Sequence, residues 1–197
     1  MQQATNPAAE AARTQDVYGV YTAALMSNPP VIGGDSNKTY AIASTTTPAS
    51  LERAALPGLP EAARTMLAKC DAPPPGYEDR WQELLADFRS RSDAPVPMER
   101  ELKIAKPYVY LTADEVTVFM SAHSSINAPV VPNAQFGGAV AVISLSNVYF
   151  NKDRTLAAMR ISSSCGVLCG QGERKIFEKT PAGWKEVTGG VRCTVSA

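Results

Sequence analysis

Two hydrophobic periods run through this chain of 197 residues, and the dominant one changes near Ala139. Up to that point apolar residues mostly recur at helical spacing. Val17, Val20, Tyr21, Ala24 and Leu25 predict a first helix over 14–26, with Thr14 as its cap, Asp16 at its positive end and Asn28-Pro29-Pro30 as its stop. Tyr77, Trp81, Leu84, Leu85 and Phe88 share one face and predict the clearest helix, 77–90. Its acidic residues come early and Arg89 and Arg91 late, as the helix dipole favours. A short helix is expected at 60–70, with Ala63, Met66 and Leu67 inward. Thr112-Ala-Asp-Glu115 is a capping box that leads into an apolar stripe of Val116, Phe119 and Met120.

Strand signals are fewer in this first part. Gly33-Gly34-Asp35 reads as a turn, and the β-branched run 38–47 as a strand after it. Residues 102–111 form a second strand, in which Pro107 argues for an edge or a bulge. After the loop 123–138, alternation takes over. Residues 140–150 are strongly β-prone, and Asn151-Lys-Asp-Arg154 is a hairpin turn. In 155–163, Ala157, Met159 and Ile161 alternate against Ala158 and Arg160. Strands at 173–179 and 184–187 flank the turn Pro181-Ala-Gly183, and Val191, Cys193 and Val195 alternate at the end. Short loops between successive strands imply antiparallel neighbours.

The expected fold is therefore α+β, with N-terminal helices packed on a C-terminal antiparallel β-meander of four or five strands. Helices 14–26 and 77–90 are expected on one face of that sheet. Residues 1–13 are expected to be disordered and 14–197 to form a single α+β domain. A boundary at Pro73–Gly76 is the alternative, but the part before it is too small to hold much core.

Composition narrows the function classes. Lys plus Arg and Asp plus Glu each number 19, so the formal net charge is zero and no electrostatic footprint for nucleic acid appears. The longest apolar run, Ala139–Ile143, is far shorter than the roughly 20 residues of a transmembrane helix. The start, Met1-Gln-Gln-Ala, has neither a basic nor an apolar leader region. It fits a cytoplasmic protein or a mature exported form with an added Met1, and its polar, alanine-rich character favours the second.

The most conspicuous candidate for chemistry is Cys165-Gly-Val-Leu-Cys169-Gly-Gln-Gly172. Glycine after each cysteine lets the backbone bend sharply or bulge. The bland reading is a structural Cys165–Cys169 disulfide, with Cys70 joined to Cys193 or both left reduced. A redox-active dithiol is the sharper one, but such pairs are usually C-x-x-C at a helix N-terminus. A zinc cluster of Cys165, Cys169, Cys193 and His123 contains just one closely spaced pair. The glycines match no phosphate-binding fingerprint.

His123 is the sole histidine, so any nucleophile–histidine pair must use it; its place in Ser121-Ala-His-Ser-Ser125 reads as an exposed loop. Asn37-Lys-Thr39 fits the glycosylation sequon, a common chance match. No cofactor is implied. A ligand pocket lined by Trp81, Tyr110 and Phe119 is a further candidate.

Residues 139–197 carry Val148-Tyr-Phe-Asn151-Lys-Asp153, then C-G-x-L-C-G-x-G, then Ile176-Phe-Glu-Lys179 and Gly183-Trp184. This series resembles the C-terminal region of uncharacterised bacterial exported proteins. The resemblance implies a periplasmic or secreted location and no particular activity; this chain departs from the group in its leaderless start. The reading that combines these points is a non-catalytic exported domain with a binding or structural role at the cell envelope, its partner an envelope protein or a small molecule. The alternative is a thiol-dependent oxidoreductase or hydrolase using Cys165 or Cys169.

Overall fold

The computed structural model describes residues 6–27, 38–122, 133–166, 169–189 and 195–196. His123, Cys193, Asn37 and the turn 33–35 lie outside the described residues. In chain order the elements are α1 (Pro7–Met26), β1 (Tyr40–Ala43), α2 (Glu61–Asp71), α3 (Glu78–Ser90), β2 (Tyr108–Leu111), α4 (Ala113–Ala122), β3 (Val142–Leu145), β4 (Tyr149–Phe150), β5 (Leu156–Gly166), β6 (Cys169–Thr180), β7 (Gly183–Glu186) and β8 (Val195–Ser196).

Helix α1 starts seven residues before Thr14. The Asn6 side chain accepts the Ala8 N–H at 3.0 Å, and Pro7 takes the first helical position, where its missing N–H costs nothing. The expectation of disorder over 1–13 is thus corrected for residues 7–13. Thr14 lies inside the helix and donates its hydroxyl to the Glu10 carbonyl. Helix α3 matches its periodicity, with Trp81, Leu84 and Leu85 buried. Helix α4 opens on the expected box: Thr112 N–H donates to Glu115 Oε2 at 2.8 Å, and Glu115 N–H to Thr112 Oγ1 at 3.3 Å. Helix α2 departs from expectation. Met66 is 60% exposed, and Cys70 is the helix's buried residue. An Arg53–Asp71 ion pair ties it to the 3₁₀ turn Arg53–Ala55.

The fold is α+β, but its sheet is mixed rather than a purely antiparallel meander. The order is β2-β1-β3-β5-β6-β7, with β4 on β5 and β8 on β6. Strand β1 runs parallel to both β2 and β3; the other pairings are antiparallel. Parallel neighbours need long crossovers, and these segments supply them: α2 and α3 lie between β1 and β2, and α4 follows β2. Pro107 stands just before β2, an edge strand as expected, and its carbonyl accepts the Tyr40 N–H.

The expected strand 140–150 is split into β3 and β4. Buried Ser146 accepts the Arg160 N–H and donates to the Asn147 carbonyl, both at 2.8 Å, so side-chain bonds interrupt the ladder there. The turn at Asn151 forms as read, with Asn151 Oδ1 accepting the Thr155 and Leu156 N–H groups.

Helices cover both faces of the sheet, which corrects the expectation that α1 and α3 share one. Ala157, Met159 and Ile161 of β5 pack in the same cluster as Val20, Tyr21, Ala24 and Leu25 of α1. Leu156 and Ala158 pack with Trp81, Leu84 and Leu85 of α3. Successive strand residues point to opposite faces, so α1 and α3 are on opposite sides. On the α3 side, Phe119 of α4 covers Ala41 and Val142. The physical reason is that this part of β5 is apolar on both faces, and both must be covered.

Helix α1 also meets β7 closely. A Cβ added at Gly19 would sit 2.8 Å from Trp184 Cδ1. Alanine raises helix propensity by about 1 kcal/mol, but overpacking of this kind costs about 1–3 kcal/mol. Gly19→Ala is expected to lower the thermal midpoint, although glycine-to-alanine in an exposed helix normally raises it. A higher midpoint would show that Trp184 moves aside freely.

Candidate functional site

The β5–β6 ribbon carries the features that bear on function. At its closed end Cys165 and Cys169 lie at disulfide distance, with Cα atoms 5.2 Å apart. The ladder shifts register between Ser164 and Gly166, and Gly166 has φ 151°, which a side chain would resist. Ser164 Oγ lies 3.3 Å from the Cys169 carbonyl, joining the two strands before the bend. Cys165 is 2% exposed. Gly172 faces Ser162 across the ladder, where an added Cβ would come within 3.0 Å of the serine Cβ. That glycine therefore serves close strand approach. The element after the cysteines is a strand, so no helix dipole acts on their sulfurs.

Cys70 is disulfide-bonded and buried. Its expected partner, Cys193, and the histidine of the zinc reading lie outside the described residues. Among the described residues no group of three His, Cys, Asp or Glu side chains is placed to hold a metal ion.

A second feature lies on the α3 side of the same ribbon. Leu156 and Ala158 occupy that face under α3, but the next positions on it are Arg160, Ser162 and Ser164. Arg160 is the direct cross-strand partner of Arg174. Like charges directly opposite in a ladder repel. A third guanidinium, Arg53, acts on both of them, as does one carboxylate, Asp71. Asp71 is fully engaged elsewhere: Oδ1 accepts Arg53 Nε and Nη2 at 3.2 and 3.1 Å, and Oδ2 accepts the Ala54 N–H at 3.0 Å. Burial, only partly offset by Asp71 and reinforced by Arg53 and Arg160, pushes the Arg174 pKa down to about 10. It stays charged at neutral pH.

Arg174 is well held. Nη2 donates to the Ala72 carbonyl at 2.7 Å, and the guanidinium lies 4.8 Å from the Trp81 ring centre. Among the described residues its Nη1 is buried without a hydrogen-bond partner, an arrangement that costs about 1–3 kcal/mol in a folded chain. The sequence reading missed this pair, placing Arg160 merely opposite an apolar face. Reflecting the two strands about the cysteine turn would have brought 160 and 174 together.

Two further charged clusters are internally paired. Lys175, on the opposite face, has its Nζ within 2.8 Å of Glu186, 3.2 Å of Glu173 and 2.9 Å of the Ser27 carbonyl. A cavity of about 520 Å³ lies between α1, α3 and the Asn151 turn, but Asp87 there already binds both Arg13 and Arg91. The pocket expected from Trp81, Tyr110 and Phe119 does not form, because these rings belong to three separate clusters. Alternation along β2 turns Tyr110 to the α1 face, and α3 and α4 cover different parts of the other face, which separates Trp81 from Phe119. Comparisons with family models, curated proteins and solved structures return no match for this chain.

Proposed function

We propose that this is a non-catalytic, exported domain with a binding or structural role at the cell envelope. The observation that carries the reading is Cys165, buried at 2% exposure and paired with Cys169 where the ribbon closes. A nucleophilic or redox cysteine needs access and a depressed thiol pKa; this sulfur has neither a free approach nor a helix terminus beside it. Disulfides persist in oxidising compartments, so a paired hairpin together with an oxidised Cys70 supports an extracytoplasmic site of action. The resemblance of residues 139–197 to bacterial exported proteins points the same way.

A peptide map of the native protein under non-reducing conditions tests this. Trypsin should release Ile161–Arg174 as one peptide lighter by two hydrogens, and alkylating reagents should leave both sulfurs unmodified. A Cys165 or Cys169 that alkylates in the native state, with a thiolate forming well below the ordinary value of about 8.5, would favour the thiol enzyme instead. Recovery of the natural protein from the cytoplasm alone would overturn the compartment.

A further inference from the structure

We infer that the α3-side face of the β5–β6 ribbon binds a phosphate-class dianion through Arg160 and Arg174. The inference goes beyond the reading above, since it requires neither the compartment nor the disulfide, and its failure would leave that reading untouched.

Four donor groups without partners among the described residues gather on this face. Arg160 is half-buried, and its guanidinium makes no hydrogen bond or ion pair among the described residues. Arg174 Nη1 is buried and has no hydrogen-bond partner among the described residues, while Nη2 and the Trp81 ring fix the plane of the group. Ser162 is two residues from Arg160 on the same face and pairs directly with Ser144 of β3. Both serines are half-buried, and neither hydroxyl has a described partner. The one carboxylate nearby, Asp71, spends both oxygens on Arg53 and Ala54. Guanidinium forks match the oxygens of phosphate bidentately, and hydroxyls add further donors.

Charge selects the class of ligand. Three guanidiniums act around one carboxylate, so two positive charges are left uncompensated, as a dianion would satisfy. A carboxylate ligand would neutralise one of them. Nucleic acid is disfavoured by the zero net charge of the chain. The arrangement also has a cost in the free protein, since two cations are held opposite each other. Function and stability therefore pull in opposite directions here.

That opposition supplies the test. Thermal unfolding of the full chain is followed at neutral pH while sodium chloride is replaced by sodium phosphate at constant ionic strength. The wild-type midpoint should rise saturably, by about 4 °C near saturation. Arg160→Gln should unfold about 3 °C higher than wild type without phosphate and should respond to phosphate at least tenfold more weakly. Ser162→Ala leaves the charges in place and should weaken the phosphate response while keeping the wild-type midpoint in chloride. A phosphate effect that does not saturate, or that is equal in Arg160→Gln, is a general salt effect and overturns the site. An equal response to acetate would overturn the assignment to a dianion.

Discussion

Asp87→Ala should destabilise the protein by about 3 kcal/mol, seen as a lower urea midpoint with an unchanged slope. Asp87 joins parts of the fold that lie on opposite faces of the sheet. Its Oδ2 accepts Arg13 Nη2 of α1 at 2.8 Å and the Phe150 N–H of β4 at 3.0 Å, and its Oδ1 accepts Arg91 Nε at 2.7 Å. The Asp87 and Arg13 side chains are 17% and 13% exposed, so removing the carboxylate strands a largely buried cation. Among the described residues Arg13 would keep a 3.3 Å contact to the Val148 carbonyl and its position 4.9 Å from the Phe150 ring centre.

The pH dependence has a definite sign. Burial pushes the Asp87 carboxyl up, but the Phe150 N–H and the Arg13 and Arg91 guanidiniums outweigh it and hold it below its ordinary value. A carboxyl depressed on folding contributes stability that is present above its unfolded value of about 3.9 and lost as pH falls through the lower folded value. The stability gap between wild type and Asp87→Asn should be full at neutral pH and shrink in acid. A gap that is constant with pH would show that charge is not what Asp87 supplies.

Cys70→Ser is the other substitution with a large expected effect. Cys70 is the buried residue of α2, whose other residues are exposed or half-buried, and is disulfide-bonded. With Cys193 as partner the bond closes a loop of well over a hundred residues, and its loss should cost about 5 kcal/mol. The small loop between Cys165 and Cys169 should be worth about 2 kcal/mol by the same reasoning. Urea unfolding of Cys70→Ser beside a Cys165→Ser/Cys169→Ser double variant measures both. The larger loss is expected for Cys70, because the longer loop constrains the unfolded chain more and the apolar face of α2 is small, with Met66 exposed. Equal losses, or a map joining Cys165 to Cys193, would refute this division between a loop staple and a fold staple.

Part of the candidate site was visible in the chain. The cysteine turn stood out because cysteines at short spacing, each followed by glycine, form a local signal, and the hairpin places them together. Arg160 and Arg174 carried no such signal. Each looks like an ordinary charge on the polar side of a strand, and only the register of β5 against β6 sets them opposite each other. Asp71 and Arg53 reach the same place from segments about a hundred residues away.

The fold divides along the same line. The sequence alone determined α3 from its apolar stripe, the start of α4 from the Thr112–Glu115 box, the Asn151 turn, and the edge position of the strand after Pro107. These depend on caps, turn chemistry and periodicity, which act between residues a few positions apart. Only the tertiary structure decided that β1 runs parallel between β2 and β3, that α1 and α3 cover opposite faces, and that Arg160 and Arg174 face each other across the ladder with Arg174 against Trp81. Those outcomes depend on which distant strands pair and how much apolar surface each face must hide. No single segment carries that information, because burial is summed over the whole sheet.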